Sequence, residues 1–206
     1  MLSTISAMTK ILPGFQDLVE DSQATFRTLL DAFALPGKVN QIKAKLQPPT
    51  GLNLACAAAC LTLLDLETQV WLQPGFQPLV KAWLLFHTGC RFTDSPCYAD
   101  FALIRDAVSM PELSTFNSGT VEKPEASTTL LIQGTDLQGN QAVSLTGPGI
   151  LGDRVLALPN LPDFFWQEWR ANLHGYPLGI DIFFFADNLV LGLPRTTKIE
   201  RLYEVN

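Results

Sequence analysis

The chain has 206 residues, of which 47% are hydrophobic and 17% charged, and its formal net charge is −6. That length and balance suit one globular domain with a substantial core and exclude a disordered polymer. Its 14 lysines and arginines are scattered without a basic stripe and its pI is about 4.8, a poor match for nucleic acid, which attracts clustered cations.

Residues 1–13 read as a flexible N-terminal tail, and 14–206 as a single domain. "DSQATFRTLLDAFALPGKV" predicts a helix in which Phe26, Leu29, Leu30 and Phe33 form one apolar stripe. Asp21 or Ser22 is the expected cap, Pro36-Gly37 the stop, and Arg27 lies beside the stripe. After "QPPTG", an Ala-rich helix is expected from Leu52 to Asp65. "TQVWLQ" predicts a strand, "QPLVKAWLLF" a helix leading into His87, and "YADFALI" another strand. "MPELSTF" suggests a short helix with Pro111 in its first turn. "STTLLIQ" and "QAVSLTG", joined by "DLQGN", read as a hairpin. "LPDFFWQEWRANLH" predicts a helix with Phe165, Trp166 and Trp169 inward, and the closing segment supplies two more strands. Alternating helices and strands followed by clustered strands imply an α/β fold with a mixed sheet.

No run approaches the roughly 18 uninterrupted apolar residues that span a bilayer. The opening "MLSTISAMTKILPGF" has no basic segment ahead of a long apolar one, so a cytoplasmic location without a secretory signal is expected. The four cysteines, Cys56, Cys60, Cys90 and Cys97, have no zinc-knuckle spacing and read as reduced thiols. With two histidines, His87 and His174, a multi-histidine metal centre within the chain is excluded, and no metal site is expected. Each histidine sits where a helix ends, and His87 is a possible C-cap.

"GPGILG" has the G-x-G-x-x-G spacing from Gly147, through Gly149, to Gly152. A dinucleotide site needs a helix next, to place its N-terminus on the pyrophosphate, whereas "DRVLALP" reads as strand. A glycine turn is the better reading. No phosphate loop or nucleophile elbow occurs, and no residue is assigned a catalytic role.

The strand "GIDIFFF" is apolar at both parities, so Asp181 enters a region buried on both faces. A carboxylate there needs a partner. A two-residue turn at Asp187-Asn188 puts Asp181 opposite Pro194 and on the face of Thr196; a three-residue turn puts it on the face of Arg195. Pro194 lacks an N–H, so ladder pairing should lapse there. Arg195 with Thr196 and Thr197 is either a site for a phosphate or phosphonate oxygen or a lock on Asp181.

Taken in order, "FRTLLDAFALPG", "FHTG", "ADFAL", "SGTVEKPEASTTLL", "LTGPGI", "YPLGIDIFFF" and "LPRTT" resemble the PhnH family, over about residues 14–201. "PLGID" and "PRTT" are the specific elements. The family is a subunit of the bacterial carbon–phosphorus lyase system. The resemblance implies a single-domain three-layer fold like the large domain of pyridoxal-phosphate-dependent transferases, without the cofactor. Of the lysines, Lys198 would be the least implausible Schiff-base former. It also implies a homodimer when isolated, and partnership with PhnG, PhnI and PhnJ in the core complex. That complex displaces adenine from ATP with a phosphonate, giving ribose 1-phosphonate 5-triphosphate; PhnI is credited with the nucleosidase step and PhnJ with radical cleavage. No catalytic residue is established for the subunit that this chain resembles. The alternatives are a stand-alone enzyme for a phosphorylated small molecule, acting through Arg195, Thr196 and Thr197, and a degenerate fold kept for protein contact.

Overall fold

The computed structural model describes residues 11–202. Residues 1–10 of the expected tail lie outside the described residues. Residues 11–13 are docked: the Leu12 carbonyl accepts hydrogen bonds from Trp83 Nε1 and His87 Nε2, each at 2.9 Å.

In chain order the elements are α1 (Leu18–Ala34), β1 (Val39–Gln41), α2 (Leu54–Leu63), β2 (Gln69–Leu72), α3 (Pro78–Thr88), β3 (Arg91–Phe92) and β4 (Phe101–Ile104). They continue with β5 (Thr129–Gly134), β6 (Gln141–Thr146), β7 (Arg154–Leu158), α4 (Phe164–His174), β8 (Asp181–Ala186), β9 (Leu189–Leu193) and β10 (Lys198–Arg201). A seven-stranded sheet has the order β1-β9-β8-β5-β4-β2-β3, and a three-stranded sheet the order β10-β6-β7. Strands β3, β2, β4, β5 and β8 run parallel, while β9 pairs antiparallel with both β8 and β1. This is the expected α/β class with a mixed sheet.

Side chains alternate across a strand, so the large sheet divides the core in two. Leu103, Leu131, Phe183 and Phe185 pack with α1, α2 and α3 on one face. Ile104, Leu130, Ile132, Ile182 and Phe184 pack on the other face with α4 and the small sheet. The unbroken apolar runs of β5 and β8 follow from burial on both sides.

Several expectations need correction. The cap of α1 is Asp17, whose Oδ1 accepts from Val19 and Glu20 N–H at 2.9 Å, so the helix starts earlier than Asp21 or Ser22. Its buried face is Thr25, Leu29 and Ala32, whereas Phe26 and Leu30 of the predicted stripe are exposed. The helix lies close against β9: a Cβ on Gly192 would lie 2.5 Å from the Ala32 carbonyl oxygen, so helix backbone rather than a large side chain meets the strand there. Phe33 instead stacks on Phe183 with ring centroids 3.9 Å apart.

The expected hairpin of β5 with β6 does not form. Both edges of β5 are occupied, by β4 and β8, so β6 joins the small sheet, where Val143 and Leu145 face inward. The predicted short helix is a 3-10 turn at Leu113–Thr115, with Pro111 ahead of it. On α4, Phe165 and Trp169 are buried, while Trp166 is half-buried beneath Arg201, 5.1 Å from Cζ to the ring. Strands β1, β3 and β10 are short edge strands that no hydrophobic pattern marks.

Cys56, Cys60 and Cys90 are buried together and Cys97 is exposed. The Cys60 thiol is pushed well above its ordinary value, first by its hydrogen bond with Cys56 and then by burial. Burial also raises Cys90. A raised thiol holds little thiolate, the reactive form. Ellman's reagent should therefore label only Cys97 quickly in the native protein and all four cysteines after unfolding. Rapid native labelling of a second thiol would contradict this packing.

Candidate functional site

The lead-in to β8 is fixed by α4. Asn172 Oδ1 accepts from Ile180 N–H at 2.7 Å and its Nδ2 donates to Ile180 O at 3.0 Å. Gly179, at φ 136°, passes so close that a Cβ would lie 2.7 Å from Asn172 Oδ1. The next residue, Asp181, begins β8 with its side chain 18% exposed.

The β8–β9 register pairs Ile182 with Leu193 across a two-residue turn at Asp187-Asn188, which sets Asp181 opposite Pro194. Parity in that register favours Thr196, yet the partner is Arg195. The ladder stops at Leu193, and residues 194–197 turn, with Thr197 N–H bonded to Pro194 O at 2.9 Å. The turn carries Arg195 over the carboxylate. Its backbone N–H donates to Asp181 Oδ1 at 2.7 Å, and its Nε donates to Oδ1 at 3.2 Å and Oδ2 at 3.1 Å. Nη2 donates to Asp181 Oδ2 and Ser127 Oγ, and Nη1 to the carbonyls of Pro124 and Pro177, both at 3.1 Å. A guanidinium has five N–H donors, and here they point at acceptors within the chain. A ligand anion would have to displace one of them.

Thr196 lines an open groove of about 320 Å³ with Arg195, Asp181 and Tyr176. Thr197 does not join it: the residue is fully buried, its Oγ1 has no partner, and its carbonyl accepts from Trp169 Nε1 at 2.9 Å. Arginine and the two hydroxyls thus do not converge on one point. Gly147 belongs to this centre, because at φ 135° it approaches until a Cβ would lie 2.9 Å from Thr196 O. Gly149 meets the other end of the loop, where a Cβ would collide with the Ala34 carbonyl at the end of α1. No helix follows these glycines; β7 does.

His87 and Arg27 lie away from this centre. His87 is in the last turn of α3, whose C-cap is Gly89 at φ 70° rather than the histidine. Arg27 is exposed on α1. Lys198 is exposed on β10 and paired with Glu200 at 2.6 Å. Among the described residues no group of three or more His, Cys, Asp or Glu is placed to hold a metal ion. The bonding partners Pro124, Ser127 and Pro177 carry no sequence signal, since two of them act through backbone carbonyls.

Fold and site together define a mixed-sheet α/β domain organised around a saturated internal ion pair. The family described as bacterial phosphonate metabolism protein (PhnH) matches residues 13–200, and the chain belongs to that family. It is 40% identical over 199 residues to the alpha-D-ribose 1-methylphosphonate 5-triphosphate synthase subunit PhnH of Rhizobium meliloti (strain 1021), covering 96% of this chain and 100% of that one. It is 30% identical over 183 residues to the putative C-P lyase subunit protein HtxG of Stutzerimonas stutzeri, covering 86% of this chain and 85% of the relative.

Breaking a buried pair from one side strands the other charge, at a cost of roughly 3 kcal/mol, whereas removing both is milder. Asp181→Asn and Arg195→Met should each lower stability by about that amount. The double variant should lose at least ~1 kcal/mol less than the sum of the two. Denaturant midpoints measure this, and simple additivity would show that the two residues do not share a network.

Proposed function

We propose that the chain is an accessory subunit of the carbon–phosphorus lyase complex in phosphonate catabolism. It is needed with its partner subunits for transfer of a phosphonate onto the ribose of ATP, with adenine release, and it is not catalytic alone. The observation that carries this reading is 40% identity across the whole length of a relative named as a subunit of that synthase. The second relative is likewise named as a subunit. The proposal includes PhnG, PhnI and PhnJ as partners, a homodimer when isolated, a cytoplasmic location, and the transferase-like fold without its cofactor.

The interior supports the accessory role. The one arginine beside the family's "PLGID" and "PRTT" elements has its donors engaged inside the chain, so it is poorly placed to activate a substrate. The surface supports partnership. Val19, Phe26 and Leu30 stand exposed along one side of α1 at helical spacing, an apolar strip of the kind that interfaces cover. The absence of a helix long and apolar enough to cross a membrane, among the described residues, is compatible with the proposed location. A stand-alone enzyme working through Arg195, Thr196 and Thr197 has less support, because Thr197 is buried away from the groove.

Incubating the purified chain with MgATP and methylphosphonate should give no adenine. Adding the other subunits should produce it, and leaving out this chain alone should abolish it. Adenine release by the isolated chain, or undiminished release without it, would overturn the proposal.

A further inference from the structure

A cavity of about 600 Å³ opens at the carboxyl ends of β4, β5 and β8, at the opposite end of the strands from Asp181, which begins β8. Open α/β sheets place ligands beyond the carboxyl ends of their strands, near the point where the chain order reverses. Here β2 has β3 on one side and β4 on the other, so the chain reverses beside β4. The volume is that of a small-molecule site.

Two residues that line this cavity carry unpaired donors. Arg105 follows β4 and is exposed; its backbone N–H donates to Gln73 Oε1 at 2.9 Å, while its guanidinium makes no hydrogen bond or ion pair among the described residues. Its guanidinium lies over Gly75, where a Cβ would be 2.7 Å from Nη1. Asn53 caps α2: its Oδ1 accepts from Cys56 N–H at 2.8 Å, which fixes the amide and leaves Nδ2 buried without an acceptor. An unpaired buried donor is a cost that a ligand oxygen would remove.

The rest of the lining sets the class of ligand. Asp136 Oδ1 accepts from Gln138 N–H at 2.9 Å, leaving Oδ2 free to accept, and Thr135 and Asn160 add side chains suited to hydroxyls. Asp106 and Asp136 outnumber Arg105, and no lysine lines the cavity. The one guanidinium can pair with one anionic group, and the two carboxylates oppose any more. We infer that this cavity binds a small hydroxyl-rich molecule carrying a single phosphate, with the phosphate at Arg105 and the hydroxyls toward Asn53, Asp136 and Asn160. The inference does not rest on the proposed subunit role, since it concerns the chain alone.

Titration of the labelled chain with ribose 5-phosphate, followed by amide NMR shifts, tests it. Saturable shifts should cluster around Asn53, Arg105 and Asp136. Free ribose, inorganic phosphate and ATP should each bind at least about tenfold more weakly, because each lacks one part of the match or adds excess charge. Arg105→Met removes an exposed group without partners, so the variant should keep the parent's thermal midpoint and lose at least about tenfold in affinity. Asn53→Asp keeps the capping oxygen and should also bind more weakly. No saturable shift with ribose 5-phosphate, unchanged affinity in Arg105→Met, or shifts clustered elsewhere would overturn the site. Inorganic phosphate or ATP binding as tightly as ribose 5-phosphate would overturn the class of ligand.

Discussion

A carboxylate and a guanidinium, 18% and 12% exposed, meet where β8 begins and β9 has just ended. Taking two charges out of water is tolerable only if their remaining lone pairs and protons are bonded. That demand reaches well beyond the pair. Arg195 also holds the carbonyls of Pro124 and Pro177 and the hydroxyl of Ser127, so the segments entering β5 and β8 are tied to the segment leaving β9. Three separate stretches of chain are fixed by one side chain.

The same turn links the two sheets. Residues 194–197 leave the large sheet and deliver β10 to the small one, where it pairs with β6. Trp169 on α4 holds the turn from below through the Thr197 carbonyl, and Gly147 at the end of β6 lies against Thr196. Gly149 then meets the end of α1, and Gly192 on β9 lets the same helix lie against the sheet. The glycines matter here as places where backbones touch, which is why the G-x-G-x-x-G spacing arises with no nucleotide-binding helix behind it.

Much of this was legible in advance, for physical reasons that also explain what was not. An acid inside an apolar run must have a partner, so Asp181 and the segment from Arg195 to Thr197 could be paired from residue types alone. The two-residue turn at Asp187-Asn188 was one of two that the sequence left open. Which of Arg195 and Thr196 would meet the acid was not, because parity holds only while the ladder lasts, and Pro194 ends it. The face of α1 was misjudged because hydrophobicity favours large residues, whereas the helix meets Gly192 through its own backbone at Ala32. The hairpin reading of β5 and β6 failed on competition: the two strands are close in sequence, but β4 and β8 already fill both edges of β5. The cavity was invisible because Asn53, Arg105, Asp136 and Asn160 come from separate strand and helix ends, and none lies in a motif.

In this account Arg195 is a structural tie whose donors are engaged inside the chain. Exchange of the Arg195 Nε proton with solvent, followed by NMR in the native protein, tests this most directly. A closed lock predicts that the proton exchanges only when the domain unfolds, and that neither its rate nor its shift responds to methylphosphonate or phosphate. Exchange at the rate of an exposed arginine, or a saturable shift on adding either anion, would contradict the account.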